Sequence, residues 1–313
     1  MKLKRTILMG VILIIMVTFT FMPAYSYNND NKARTMEGGP HRTINYYSIQ
    51  SFLKNCINDP VYEKYDFKNG SDLAGITVIQ PGNWENDIQE GERKLKWYQW
   101  VVEGGYTADE PERYMSLRRF YDPLGANQGA TYLTDHVNEL LTSIVMGTNP
   151  KTDAKWWGAL YSPYSIAKGR DFMISAFSSL NSQEKGKLFA AAWRSLGETM
   201  LLLADMTVPA HVRNDSHPGV EWSQFITDKY RADSYEEFVD QDVVENCLGS
   251  ADPFLIDEIN KIHDEDGFLN VLSLFDCIAR YTNHNYFSLD TIAGVDNALG
   301  QAITCLLYTS DAD

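Results

Sequence analysis

The residues best equipped for chemistry lie in one stretch, Leu196-Gly-Glu-Thr-Met-Leu-Leu-Leu-Ala-Asp205-Met-Thr-Val-Pro209-Ala-His211-Val-Arg-Asn-Asp215. Asp205 closes an apolar helix, where an unpaired carboxylate is costly to bury, so something cationic must meet it. His211 is six residues further on, about 240° around an ideal helix. Pro209 stands between them; it removes a backbone donor and kinks or ends the helix, which brings both side chains toward one point. Taken singly, an Asp at a helix end is usually a cap, and a His is more often a hydrogen-bonded core residue than a ligand. The combination of carboxylate, helix break and imidazole raises the stretch above either residue taken singly.

Helices must position this stretch. The strongest helical pattern spans residues 182 to 205, with Asn181 as its cap and Glu184 three residues on, and with Leu188, Ala192, Ser195, Thr199 and Leu203 along one face. Others are expected at roughly 130 to 146, 163 to 180, 233 to 247 and 267 to 281. Another runs from Thr43 to Asn55, where Ile44, Tyr47, Phe52 and Leu53 recur at helical spacing, with His41 just ahead of it. Residues 56 to 125 are rich in Gly, Pro, Asp and Asn and read as loop-dominated, with one short β-like snippet, Ile76-Thr77-Val78-Ile79. Strand signals are otherwise nearly absent. The expected class is all-α, a single-domain multi-helix bundle with long loops around a shared core.

The run Asp205-Met-Thr-Val-Pro-Ala-His211 resembles the H-x3-D-x5-H ligand motif of the zinc-dependent phospholipases C, whose fold is shared by the zinc nucleases of fungi and plants. Tyr235-Glu236-Glu237-Phe238 resembles the segment where the family places a metal-binding Glu after a Tyr; the plainer reading of these acids is favourable placement in a first helical turn. Asp109-Glu-Pro and Arg118-Arg-Phe-Tyr-Asp-Pro123 resemble the family's acidic loop and its His-Phe-Tyr-Asp-Pro box. His41 falls where the family has its early histidine. Tyr281-Thr-Asn-His-Asn-Tyr resembles a structural segment of bacterial homologues, in which His284 reads as non-ligating.

This resemblance implies His41, Asp109, Asp205, His211 and Glu236 as zinc ligands, with Asp205 bridging ions and Asp109 also able to orient the attacking water. Zinc would neutralise a phosphodiester and lower the pKa of a water. Asp233 or His217 would supply a missing ligand near Glu236. The sequence departs from the pattern in three places: Arg119 replaces the box histidine, Leu201 stands four before Asp205, and Ala232 stands four before Glu236. The family's N-terminal metal-binding Trp is also absent. Arg119 is therefore expected either to meet substrate phosphate or to reach between Asp109 and Asp205 as a surrogate cation, with Leu201 filling the vacated space; a solvent-facing Arg119 is the plain alternative.

Lys2, Lys4 and Arg5 precede an apolar run from Ile7 to Met22 and an Ala-x-Ser site, which reads as a signal peptide over residues 1–26 and a secreted product. Residues 27–304 form the expected phospholipase C-like domain. Residues 305–313 resemble a translated sequencing-library adapter and are expected to be a non-native tail. Setting aside Cys305, three cysteines remain, Cys56, Cys247 and Cys277; one disulfide with a spare thiol, or three small buried hydrophobes, would fit them.

The chain has 27 Lys+Arg against 42 Asp+Glu, a net charge of −15. That balance offers no steering toward polyanions. It weakens, without excluding, a nucleic-acid substrate; the resemblance implies a phospholipid or another phosphodiester, with peripheral membrane contact, and no protein partner is inferred. Two rival readings remain: a nuclease on the same fold, which would need basic and aromatic tracks, and a metal- or lipid-binding homologue that has lost catalysis along with its histidines.

Overall fold

A computed structural model describes residues 40–56, 85–86, 93–95, 97–108, 118–125, 152–214, 252–262 and 269–286. Helix dominates these residues, as the all-α expectation required. They comprise α1 (Pro40–Cys56), α2 (Trp97–Thr107), α3 (Ala154–Trp156) running into a π turn (Trp157–Tyr161), α4 (Ile166–Ser178), α5 (Ser182–Asp205), a 3-10 turn (His211–Arg213), α6 (Pro253–Asn260) and α7 (Val271–Asn285). The described strands are an antiparallel pair of two residues each, β1 (Glu85–Asn86) and β2 (Arg93–Lys94). The helices expected at 130 to 146 and 233 to 247, the snippet at 76–79, the signal segment and the tail lie outside the described residues.

The central element is α5. Its start is set by Asn181, whose side-chain oxygen accepts from the backbone N–H of Gln183 at 2.9 Å and of Glu184 at 3.1 Å, satisfying two of the donors a helix start leaves open. Burial on α5 is wider than a single stripe, taking in Phe189, Ala190, Ala191, Ala192, Ser195, Leu201 and Leu202, whereas Leu188 and Leu203 are only half-buried. The reason is that α1, α2 and α4 all pack against it, and a helix enclosed on several sides has little solvent face left.

The α2–α5 contact is backbone on backbone. A Cβ at Gly104 would lie 2.5 Å from the Arg194 carbonyl oxygen, and one at Gly197 would lie 2.0 Å from that of Val101. Only glycine permits so close an approach. Asn45 on α1 ties the three helices together by donating from Nδ2 to the carbonyls of Val101 (2.9 Å) and Gly197 (3.2 Å).

Helix α2 corrects the loop reading of residues 56 to 125. Trp97, Trp100 and Val101 stand at i, i+3 and i+4, the spacing of one helical face, and all three are buried. The Gly104-Gly105 pair, which reads as a turn, is instead the site of close packing. A further correction concerns His41, which sits inside the first turn of α1 rather than ahead of it, behind Pro40 at the first helical position.

Two apolar clusters flank the polar interior. One joins Trp97, Trp100, Val101, Ile49, Ala176 and Phe189; the other joins Ala108, Tyr121, Leu201, Leu202, Met206, Val212 and Phe275. Each large side chain of this kind contributes about 1.5–3 kcal/mol on burial. Arg42 of α1 pairs with Glu103 of α2 at 3.2 Å, and within α5 Arg194 Nε donates to Glu198 at 2.6 Å, while Thr107 Oγ1 of α2 donates to the same oxygen at 2.9 Å. Arg194 also lies 3.7 Å over the Tyr164 ring.

Candidate metal centre

Helix α5 ends at Asp205, and the chain turns through Met206–Ala210 before the 3-10 turn begins at His211. The turn is closed by Val208 N–H donating to the Asp205 carbonyl at 3.0 Å and Thr207 N–H to that of Ala204 at 2.9 Å. Pro209 stands where the helical ladder stops. Asn214 ends the 3-10 turn in the left-handed region, φ 52°, a conformation Asn tolerates better than most residues.

This break brings His211 back onto Asp205. His211 Nδ1 lies 3.5 Å from Asp205 Oδ1, and His41 Nε2, arriving from the start of α1, lies 3.3 Å from the same oxygen. Arg119 Nε lies 3.9 Å from Oδ2. His41, Asp205 and His211 are fully buried and Arg119 is 2% exposed. Four of the six site residues expected from the sequence are thus in one place, contributed by three separated segments. Asp109 and Glu236 lie outside the described residues, as do Asp233, His217 and Ala232.

Neighbouring groups hold the arrangement. The Phe120 ring packs on the His211 imidazole with centroids 4.5 Å apart, and Tyr121 N–H donates to the His211 carbonyl at 3.0 Å. From α7, Asn283 Nδ2 donates to the Val212 carbonyl at 2.7 Å, and Arg213 donates back to the Asn283 carbonyl. Ala154 N–H donates to the Phe120 carbonyl at 3.0 Å, anchoring the 118–121 segment to α3. Leu201, one turn before Asp205 on α5, is fully buried in the second apolar cluster. His284 is exposed on α7, its Nδ1 against the Arg280 carbonyl at 2.7 Å.

Burial alone would raise the Asp205 pKa, but the fields of His41, Arg119 and His211 outweigh it and hold the carboxyl well below the usual carboxylate range. Asp205 is therefore an anion at neutral pH. Its contacts, at 3.3 to 3.9 Å, are longer than the about 2.7–2.9 Å of charge-assisted hydrogen bonds. Neither carboxylate oxygen accepts a hydrogen bond of ordinary geometry among the described residues.

Those separations bear on whether zinc fits. With bonds of about 2.0–2.1 Å, a tetrahedral zinc ion spreads neighbouring ligand atoms about 3.3–3.4 Å apart. The two imidazole-to-Oδ1 distances, 3.3 and 3.5 Å, match that spread, and the donor chemistry is right for it. The side of Oδ2 does not fit an ion, because a permanently charged guanidinium stands there. Among the described residues no group of three or more His, Cys, Asp or Glu is arranged to hold a metal ion, His41, Asp205 and His211 included.

A second polar cluster, not anticipated from the sequence, borders the first. Lys155 Nζ meets both Asp276 oxygens at 2.8 and 2.7 Å, and Tyr121 donates its hydroxyl to Asp276. Burial, reinforced by the Asp276 carboxylate, pushes the Tyr121 phenol up, out of the range where it would ionise. Asp153, which caps α3 by accepting from Trp156 N–H at 2.9 Å, is pushed up by burial to about 6. The only sequence signal was the Tyr beside Arg119 and Phe120. Cys277 on α7 is a free, half-buried thiol, which departs from the buried-hydrophobe reading; the other cysteines' side chains lie outside the described residues.

The sequence matches no protein-family model, no curated protein and no solved structure.

Proposed function

We propose that the chain is an exported zinc-dependent phosphodiester hydrolase of the phospholipase C type, acting on a phospholipid headgroup. The observation that carries this reading is the convergence of His41, Asp205 and His211, two imidazoles and a carboxylate with nitrogen–oxygen separations of 3.3 and 3.5 Å, in the buried interior. The motif resemblance around residues 205–211 supplies the reaction class.

Within this reading His41 and His211 donate ring nitrogens, and Asp205 donates the negative charge that makes a cation welcome. Phe120 fixes the plane of the His211 ring. Asp109 and Glu236 complete the ligand set, and Asp109 orients the attacking water. Zinc, when bound, offsets phosphodiester charge and lowers the pKa of a water. Exposed Trp156, Leu160 and Tyr161 on and beside the π turn are side chains of the type that meet a lipid interface. No helix among the described residues is long and apolar enough to cross a membrane.

A second reading, a metal- or lipid-binding homologue without catalysis, is favoured by one observation: Arg119 stands beside Asp205, where the resemblance calls for an imidazole. A nuclease is disfavoured by the net charge of −15. The purified chain, stripped with a chelator and restored with zinc, separates these readings. Zinc-dependent release of a phosphorylated headgroup from phospholipid vesicles supports the hydrolase. Zinc binding without release supports the binding homologue, and cleavage of single-stranded DNA in preference to lipid supports the nuclease.

A further inference from the structure

Helices α6 and α7 close on each other only in part, and a groove of about 460 Å³ lies between them. That volume is within the range of about 300–1,000 Å³ usual for small-molecule sites. Leu255, Glu258 and Ile262 line it from α6 and the residues just after, at i, i+3 and i+7, the spacing of one helical face. Such a face ordinarily packs against its neighbour. Yet no residue of α6 is fully buried, and Phe254, which also lines the groove, is 63% exposed. The start of α6 is nevertheless tied to α7, because Tyr281 donates its hydroxyl to Asp252, the residue that caps α6. The helix is thus fixed at one end and leaves apolar wall uncovered along its length.

The opposite wall is one face of α7, with Ser273, Cys277, Arg280 and His284 at i, i+4, i+7 and i+11. Burial pushes the Cys277 thiol up, so at neutral pH it stays uncharged and adds apolar surface. Of the charged side chains in the lining, Lys261 pairs with Glu258 at 2.7 Å and Asp276 pairs with Lys155 at 2.7 Å. Arg280 is exposed and makes no ion pair among the described residues. A guanidinium of this kind offers a carboxylate two parallel donors. The nearby carboxylates of Glu258 and Asp276 oppose the entry of a second negative charge.

We propose that this groove binds a carboxylate amphiphile, an apolar chain bearing a single negative charge, with the chain along Phe254, Leu255, Ile262 and Cys277 and the carboxylate on Arg280. One uncommitted cation flanked by two acids suits a monoanion better than a phosphate monoester, which is close to doubly charged at neutral pH. The site uses no residue of the Asp205 cluster and does not depend on the hydrolase reading above.

Calorimetric titration of the purified full chain with octanoate at neutral pH tests this, with octanol and octyltrimethylammonium as neutral and cationic counterparts. Octanoate should bind at one site and about tenfold more tightly than either counterpart, because a charge-assisted pair with Arg280 is what separates them. Arg280→Gln should keep its circular dichroism spectrum and lose about tenfold in affinity, whereas Arg280→Lys, which keeps the charge without the planar fork, should retain part of it. Bound octanoate should also slow alkylation of Cys277, followed on its own peptide by mass spectrometry. No binding of octanoate, octanol binding as tightly as octanoate, an unchanged affinity in Arg280→Gln, or equal alkylation of Cys277 with and without octanoate would each overturn the proposal. Tighter binding of octyl phosphate would overturn it as well, by making this a phosphate site. Should Arg280→Gln not fold, the ranking of ligands and the protection of Cys277 in the unaltered chain decide the matter. Zinc content and headgroup release enter none of these measurements, so a failure here leaves the hydrolase reading standing.

Discussion

Two buried polar clusters lie along the same helix at similar depth and are built in opposite ways. Around Glu198, one carboxylate oxygen receives Arg194 at 2.6 Å and Thr107 at 2.9 Å. Seven residues along α5, Asp205 meets two imidazoles and a guanidinium only at 3.3 to 3.9 Å. Both acids are buried, at 3% and 0% exposure, so differing access to water does not explain the contrast. A buried carboxylate whose bonds are met stabilises the packing of its neighbours, whereas the proposed function reads Asp205, with bases at 3.3 to 3.9 Å, as arranged for a guest. On that reading, burial alone does not mark the functional cluster; the lengths of the contacts do.

A matched pair of amide substitutions gives the largest effects and breaks this comparison most directly. Glu198→Gln leaves Arg194 buried without its anion and should cost about 3–5 kcal/mol of stability, read from urea unfolding, with the zinc content of the folded protein unchanged. Asp205→Asn gives up contacts that are longer, at 3.3 to 3.9 Å, and should cost less than Glu198→Gln, while reducing zinc content and taking headgroup release down to background. Equal stability losses from the two variants would erase the distinction drawn between the clusters.

The pH dependence of the Asp205 difference sharpens it. Because the folded-state pKa of Asp205 is depressed, its charge contributes stability above the unfolded value of about 3.9, and that contribution is lost as pH falls through the folded value. The gap in stability between the unaltered chain and Asp205→Asn should then stay constant from pH 7 down to about 4 and narrow only below that. A gap that closes between pH 7 and 5 would mean that the surrounding bases do not hold Asp205 charged.

Much of this arrangement was legible in the sequence, for physical reasons that differ by element. The bounds of α5 follow from an Asn cap and a Pro-containing exit, both strong local signals, and the expected span of 182 to 205 agrees with Ser182–Asp205. Helix α4 starts three residues later than expected, where Ser165 caps it by accepting from Lys168 N–H at 3.3 Å. Helix α7 is displaced toward the C-terminus because Asn270 caps it. By contrast, α2 was hidden by Gly104-Gly105: glycine lowers local helix propensity, and its purpose there is visible only once Gly197 of α5 is opposite. The short α3, its π turn and α6 carry too few residues to show a period. At the site, residue types and the Pro209 break pointed to Asp205 and His211, and only the resemblance pointed to His41 and Arg119. Nothing local could show that Lys155 and Asp276, 121 residues apart, form an ion pair at the border of the centre.

That border supplies the smallest test, because it stands between the two modes of construction. Asp153 makes a proper cap bond to Trp156 N–H at 2.9 Å, as the acids of the satisfied cluster do. Yet burial dominates its titration and raises it to about 6, with the neighbouring Lys155 and the cap bond only partly opposing the shift. For a carboxyl with a raised folded-state pKa the sign is opposite to that of Asp205. Its protonated form is favoured by folding, so its contribution is fully present below about 3.9 and is lost as pH rises through about 6. Asn is as good a helix cap as Asp, so Asp153→Asn keeps the bond while removing the buried charge. The variant should match the unaltered chain at pH 4 and exceed it by about 1–2 kcal/mol at pH 7, with no change in zinc content. Equal stability at both pH values would show that water reaches Asp153 and screens it. In that case the contrast between satisfied and unsatisfied carboxylates would apply only to the deep positions on α5, and not to the segment that anchors Phe120 and Tyr121 behind His211.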